Sequence, residues 1–163
     1  MNLDALFINP SDQKAVYQDL SADLTALEPP VWCRLLMSYV RGKGYSAEVL
    51  DVNAEGMSEE EAARHVDLRN PRLVTVVCYG QNPNASTQTM SAAYVLVKSI
   101  KEHNPALRVV MLGGHGAALP ERTLRESGAD YCATGEGCYT VAALLYLLQS
   151  GEDSSYRLST VFG

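Results

Sequence analysis

The sequence lacks several features that define large classes of proteins. It has no apolar run near the roughly 20 residues of a membrane-spanning helix. Its first residues, MNLDALFINPSDQ, carry no basic cluster before an apolar run, so no signal peptide is expected. The net charge is −6, and the 13 Lys and Arg residues are scattered, which disfavours nucleic acid as a partner. We therefore expect a cytoplasmic protein without membrane or nucleic-acid partners.

The spacing of the cysteines also excludes two classes of site. The four cysteines show neither the paired CxxC spacing of a zinc site nor a secretory context for disulfides. Cys78 and Cys132 lie in apolar runs, where a small buried hydrophobic residue is the expected role. We predict no metal ligand and no catalytic residue in this chain.

Five short apolar runs alternate with amphipathic segments along the 163 residues, a length that suits one domain. This alternation predicts an α/β fold with a doubly wound, five-stranded parallel sheet, Rossmann-like in its crossovers and flavodoxin-like in its strand order 2-1-3-4-5. We assign residues 1–151 to the domain and residues 152–163 to a linker that leads to a further domain. The predicted strands are Leu3 to Asn9, Ala47 to Val52, Leu73 to Tyr79, Arg108 to Gly113 and Asp130 to Thr134.

The helical segments between these strands have recognisable starts and faces. Ser58 and Glu61 form a capping box before the second helix. Trp32 lies in the first turn of the first helix, where its ring could face the mouth of the site or pack on the sheet, and we expect it to pack on the sheet. The buried face of that helix is expected to contain Val31, Leu35, Leu36 and Tyr39.

Ligands of such sheets bind at the carboxyl ends of the strands, so the loops that follow them are the candidate site. About twenty residues separate the first strand from the first helix, where two to six are usual, and they form either a variable surface lid or a ligand cover. The loop after strand three, YGQNPNAST, is uncharged and rich in amides. The loop could line the rim of a ligand site, form a turn that caps the third helix through Ser86 or Thr87, or do both.

Glycines follow strands four and five. Gly113, Gly114 and Gly116 come after strand four, and Gly135 and Gly137 flank Glu136 after strand five. Glycine allows unusual backbone angles and, without a Cβ atom, lets a bulky group approach the backbone. Two neighbouring loops rich in glycine, which has no side chain, predict a slot for one large ligand.

The segments INP, PPVWCRLLMSYVRGKGYSAEVLDVNAEGMS, GGHGAALPE and GADYCATGEG together resemble the cobalamin-binding domain at the N-terminus of cobalamin-dependent radical S-adenosylmethionine enzymes. The resemblance extends from Leu3 to about Ser150. It implies that cobalamin is the cofactor and that its nucleotide tail enters beside the glycines after strand four. The implied cofactor-binding residues are Cys78, Tyr79, Gly80, Gln81, Asn82, Gly113, Gly114, His115, Gly116, Gly135, Glu136 and Gly137.

The chain departs from related mutase-like domains after strand three. Their S-x-L motif is replaced by Cys78, Tyr79 and Gly80, so the backbone of Gly80 and the amides of Gln81 and Asn82 would have to replace the serine hydroxyl.

A second departure concerns cobalt. The D-x-H-x-x-G motif after strand one is absent, and the resemblance then implies cobalamin with its base displaced and no histidine ligand. His115 is expected to line the slot for the tail or to cap the fourth helix. Candidates for the lower side of cobalt are Tyr17, Gln18 and Trp32.

The chain has no C-x3-C-x2-C motif for an iron–sulfur cluster, so the cluster and S-adenosylmethionine are expected only in a downstream radical S-adenosylmethionine domain of the same polypeptide. The parent would then be a methyltransferase or an oxidative cyclase, such as one resembling the magnesium-protoporphyrin IX monomethyl ester cyclase. Two alternatives stay open. One is a free-standing corrinoid carrier protein, and the other is a doubly wound binding module that has lost cobalamin.

Overall fold

Strands and helices alternate along the chain in a computed structural model that describes residues 3–10, 29–79 and 83–151. The predicted linker, Tyr17, Gln18 and Gly80 to Asn82 lie outside these residues. The elements in chain order are β1 (Ala5–Asn9), α1 (Val31–Gly42), β2 (Ala47–Asp51), α2 (Glu59–Arg69), β3 (Leu73–Val77), α3 (Pro83–His103), β4 (Arg108–Leu112), α4 (Gly114–Ala118), α5 (Pro120–Ser127), β5 (Tyr131–Cys132) and α6 (Gly137–Ser150).

The five strands form one parallel sheet in the order β2-β1-β3-β4-β5. In its register Ala5 lies between Ala47 and Leu73, and Val110 pairs with Tyr131. The predicted fold class and strand order are therefore confirmed. All five carboxyl ends lie at one edge because every pair is parallel.

A hydrophobic layer covers each face of the sheet, as the alternation of side chains along a strand requires. In β1, Leu6 and Ile8 pack with the helices α2 and α3, whereas Ala5 and Phe7 pack with α1 and α6. All four side chains are fully buried. The strands are apolar on both faces for this reason, and this explains why they could be recognised in the sequence.

The first helix buries a different stripe from the predicted one. Its buried residues are Cys33, Leu36 and Val40, at helical spacings of three and four, while Val31 and Leu35 are more than half exposed. The prediction of a buried face through Val31 and Leu35 was wrong. Both stripes are apolar, so contacts with the sheet decide which of them is buried. Those contacts cannot be predicted from the sequence of the helix alone.

Other helix starts are partly as predicted. The capping box before α2 is present, with the Ser58 hydroxyl accepting from the Glu61 amide and the Glu61 carboxylate accepting from the Ser58 amide. The helix α3 begins at Pro83, so Ser86 and Thr87 lie inside it and the alternative in which one of them caps it was wrong.

Two carboxylates join elements at the opposite, amino edge. Asp4 accepts hydrogen bonds from Ser46 and from the Arg72 guanidinium, which lies 2.6 Å away. Asp130 binds the Lys101 ammonium at 2.5 Å and accepts from the Val109 amide at 2.8 Å. These contacts join the strands to their neighbours at the edge away from the carboxyl ends.

Within the described ranges, no helix is both long and apolar enough to cross a membrane.

Candidate functional site

The loop after β4 begins with a close backbone approach at Gly113. This residue has φ 153° and ψ 162°, a combination that only glycine adopts readily. A Cβ atom placed on it would overlap the Cys78 carbonyl oxygen and would lie 2.8 Å from the carbonyl carbon. Gly113 is therefore bare because the backbone after β3 passes directly beside it.

The next glycines differ in what surrounds them. Gly114 is exposed and starts α4. Gly116 is buried, and a Cβ atom there would lie 3.0 Å from the Cys132 sulfur. Of these loop glycines, Gly114 is the exposed one, whereas Gly113 and Gly116 lie against the protein's own atoms.

His115 lies in α4, and its side chain contacts the neighbouring helix α3. Its Nδ1 atom is 3.2 Å from the Thr87 hydroxyl on α3. The next helix, α5, has Pro120 at its start and no side-chain cap, so the alternative in which His115 caps it was wrong. The ring is half-buried beside the exposed Gly114 backbone.

The loop after β5 leads directly into α6. Gly135 is half-buried and Glu136 is exposed, and the Glu136 carbonyl accepts from the Thr140 amide and hydroxyl, both at 3.1 Å. A Cβ atom on Gly137 would lie 3.4 Å from the Tyr79 hydroxyl and 3.4 Å from Leu36. The start of α6 thus packs against the end of β3 and against α1.

An aromatic pair lies beside the start of α6. The ring centroids of Trp32 and Tyr79 are 5.0 Å apart with their planes at 38°. Trp32 is 50% exposed, so the prediction that it would pack on the sheet was wrong. The pair joins the first turn of α1 to the end of β3.

Sequence reasoning missed a polar pair at the ends of β1 and β2. The Asn9 amide donates to Asp51 at 2.9 Å, and the same carboxylate oxygen accepts from the Ala54 amide at 3.1 Å. The signal was available, because Asn9 and Asp51 are the last residues of adjacent strands. Their hydrogen bond joins the carboxyl ends of β1 and β2.

The thiols and the phenol at this edge are uncharged, although the Asp51 and Glu136 carboxylates lie near them. Burial raises the pKa of the Cys78 thiol to about 12, and burial with the nearby Asp51 carboxylate raises that of Cys33 to about 12. Burial also raises the pKa of Cys132 to about 11. Burial and the Glu136 carboxylate raise the pKa of the Tyr79 phenol. All four groups keep their protons near neutral pH.

Cys78 and Cys132 are buried as predicted, with 2% and 5% of their surfaces exposed. All four cysteines are free thiols. In the part of the chain that the structure describes, no three His, Cys, Asp or Glu residues are grouped to hold a metal ion. An edge with exposed backbone and aromatic rings suits a large, amide-bearing organic cofactor such as cobalamin.

Comparison with known proteins decides the family. The profile of the B12 binding domain matches residues 17–145. The chain belongs to the B12-binding domain family. This membership confirms the resemblance that the sequence motifs indicated.

This B12-binding domain is similar to part of two larger proteins. It is 30% identical over 126 residues to an uncharacterized methyltransferase from Pyrococcus horikoshii, a match that covers 77% of this chain and 26% of the relative. The radical S-adenosylmethionine methyltransferase TsrM from Kitasatospora setae, solved with cobalamin and a 4Fe–4S cluster, superposes with a TM-score of 0.73 and 20% identity. That match covers 94% of this chain and 28% of TsrM. The chain thus spans about a quarter of each protein.

Receiver domains share the fold as well. The phosphoreceiver domain of Escherichia coli RcsC superposes with a TM-score of 0.58 and 17% identity, over 94% of this chain and 48% of that structure. At such identities the likeness of TsrM and RcsC concerns the fold alone. The family match, rather than the fold, therefore separates this B12-binding domain from the receivers.

Proposed function

We propose that this chain binds cobalamin at the carboxyl edge of its sheet and serves as the cofactor-carrying module of a larger enzyme. The match to the B12-binding domain family carries the proposal. The exposed backbone of Gly114 and the aromatic pair supply a fitting surface. When bound, cobalamin supplies a cobalt centre that can carry a methyl group.

The chain's own residues would divide into two groups. Gly114, His115, Tyr79, Gly135 and Glu136 would contact the cofactor, and Gly80, Gln81 and Asn82 are assigned the same role from the sequence. Cys78, Gly113, Gly116 and Gly137 would position that surface, because each is buried against the chain's own atoms. The contacting group would hold the nucleotide tail and exclude water from it.

We further propose that cobalamin is held with its base displaced and without a histidine ligand. No histidine occurs in the sequence between Asn9 and Pro30. His115 contacts Thr87, and His65 and His103 contact Arg69 and Glu60 on the helical layer. His115 would then line the tail slot.

The larger enzyme is inferred from the share of each relative that the chain covers. Residues 1–151 would be the cobalamin domain and residues 152–163 the connection to a radical S-adenosylmethionine domain that holds the iron–sulfur cluster and S-adenosylmethionine. A methyltransferase is favoured over an oxidative cyclase because both relatives described above are named methyltransferases. The free thiols fit a reducing compartment, the cytoplasm.

The test is a spectral titration of the chain with hydroxocobalamin, followed by gel filtration to see whether the colour travels with the protein. We expect retained cobalamin with a base-off spectrum that His115→Ala does not alter. Gly114→Leu should weaken binding at least tenfold, because its side chain would occupy the exposed backbone surface. The matched control is Gly42→Leu at the far end of α1, where nothing lies within 4 Å of an added Cβ.

Two results would contradict the proposal. A folded wild-type chain that retains no cobalamin would favour a binding module that has lost it. Unchanged affinity in Gly114→Leu would remove Gly114 from the site. A carrier function would instead require transfer of methyl groups to a separate protein by the complete polypeptide.

A further inference from the structure

Exposed apolar side chains are concentrated on one layer of helices. Among the described residues, five of the eight large hydrophobic side chains that are exposed lie on α1 and α6, the two helices that cover the same face of the sheet. They are Val31, Trp32, Leu35, Tyr139 and Tyr146. A large exposed apolar patch on a folded domain marks a surface that contacts another part of a protein assembly.

The outer sides of these two helices form one continuous surface. Leu35 and Tyr39 are four residues apart on α1, and Tyr139 and Tyr146 are seven apart on α6, so each pair lies on one side of its helix. The Tyr39 and Tyr139 rings meet edge to face, with their centroids 5.7 Å apart and their planes at 80°. We call the surface formed by these four side chains the outer face.

The outer face differs in charge from the opposite helical layer. The 14 residues of α6 include no Asp, Glu, Lys or Arg, whereas more than half of the 11 residues of α2 are charged. The side of a helix that stays in water is normally charged or polar, so an uncharged helix with exposed tyrosines is typical of one that is covered in the assembled protein. The helix α6 would thus be covered on its outer side as well as on the side that packs on the sheet.

Two observations favour the rest of the same polypeptide as the covering part. This chain spans only 26% and 28% of the two methyltransferases described above, so most of each relative lies outside the matched domain. Gly151 ends α6, so a polypeptide that continues leaves the domain at the helix whose outer side is uncharged. A segment attached there has a high effective concentration at the outer face, which a second copy of the chain lacks.

We propose that the outer face of α1 and α6 is the surface against which the rest of the larger enzyme packs. This contact lies over the helical layer, in addition to the carboxyl edge that would bind cobalamin. The inference rests on the proposed function, since it assumes the larger enzyme and names the surface that joins this domain to it.

Hydroxyl-radical footprinting, read by peptide mass analysis, tests the inference on this chain and on the complete polypeptide. Hydroxyl radicals oxidise Tyr and Leu side chains that water can reach. We expect Tyr139 and Tyr146 to be oxidised at least about tenfold more slowly in the complete polypeptide, because the core of an interface excludes water. Leu68, which is 83% exposed on α2, is the internal control and should react at the same rate in both proteins.

Two matched variants test whether packing on the outer face causes the protection. In the complete polypeptide, Tyr146→Lys should restore the oxidation of Tyr139 to at least about half of its rate in this chain, because an unpaired ammonium is costly to bury. Leu68→Lys should leave Tyr139 protected. In this chain alone, both variants should keep the wild-type melting curve because both positions are exposed.

Three results would contradict the inference. Equal oxidation of Tyr139 and Tyr146 in the two proteins, with cobalamin retained, overturns it and leaves cobalamin binding standing. A chain that forms a dimer in gel filtration, and in which the oxidation of both tyrosines rises on dilution, assigns the outer face to a second copy instead. A complete polypeptide without a further domain overturns the inference together with the proposal of a larger enzyme.

Discussion

Replacing Gly113 with alanine should destabilise the domain more than its small size suggests. The backbone angles of Gly113 belong to a region that other residues occupy at a cost of about 1–3 kcal/mol. The added Cβ would overlap the Cys78 carbonyl, and such overpacking costs about 1–3 kcal/mol more. The Cys78 amide donates to the Leu112 carbonyl at 2.7 Å, so β3 cannot move away without loss of that bond. We expect a loss of about 4 kcal/mol in the free energy of unfolding.

The neighbouring glycine provides the control for this prediction. Gly114 is exposed and helical, and alanine is favoured over glycine in a helix by about 0.5–1 kcal/mol. Urea unfolding followed by circular dichroism should therefore show a large loss for Gly113→Ala and none for Gly114→Ala. A loss below about 1 kcal/mol for Gly113→Ala would refute the reasoning, because the strained backbone angles alone should cost at least about 1 kcal/mol.

Three further predictions concern the rest of the domain. Asp130→Ala should cost about 2–3 kcal/mol in urea unfolding, because it leaves a partly buried ammonium and a backbone amide without their partner; Glu126→Ala, which breaks an exposed pair, should cost under about 0.5 kcal/mol. Ser58→Ala should cost about 1 kcal/mol. It should also raise the pKa of Glu61 part of the way back toward 4.5 in an NMR titration, because the hydroxyl bond is lost while the bond from the Ser58 backbone amide, the larger cause of the lowered pKa, remains. Since that pKa is lowered on folding, the Glu61 contribution is present above the unfolded value and is lost as the pH falls through the folded one. Iodoacetamide at pH 8 should label Cys138 first, and fast labelling of the three buried thiols in folded protein would contradict their raised pKa values.

The sheet could be read from the sequence because its strands are covered on both faces. Every residue of β3 is buried, so its apolar run is continuous, and the same holds for most of β1 and β4. The start of α2 could be predicted because it depends on local sequence: Ser58 and Glu61, which form the capping box, lie three residues apart. Order along the chain and right-handed crossovers then leave few possible topologies.

The aromatic part of the site could not be read in the same way. The first helix is apolar along two stripes, one through Cys33 and Leu36 and the other through Trp32 and Leu35. Periodicity reports that a helix is amphipathic, but only the fit against Phe7 and Leu112 on the sheet decides which stripe is buried. The half-exposed Trp32 and its contact with Tyr79 follow from that choice.

The glycines after β4 and β5 show why a motif alone is ambiguous about a ligand. A residue loses its side chain to admit either a ligand or the protein's own atoms, and the sequence looks the same in both cases. Gly113, Gly116 and Gly137 each face the chain's own atoms, on Cys78, Cys132 and Tyr79, respectively. Gly114 alone in the first loop is exposed. Variants at Gly114 therefore test the ligand, whereas variants at the other three glycines test the fold. A loss of cobalamin binding in Gly113→Ala would carry no information about the cofactor unless its stability were measured in the same sample.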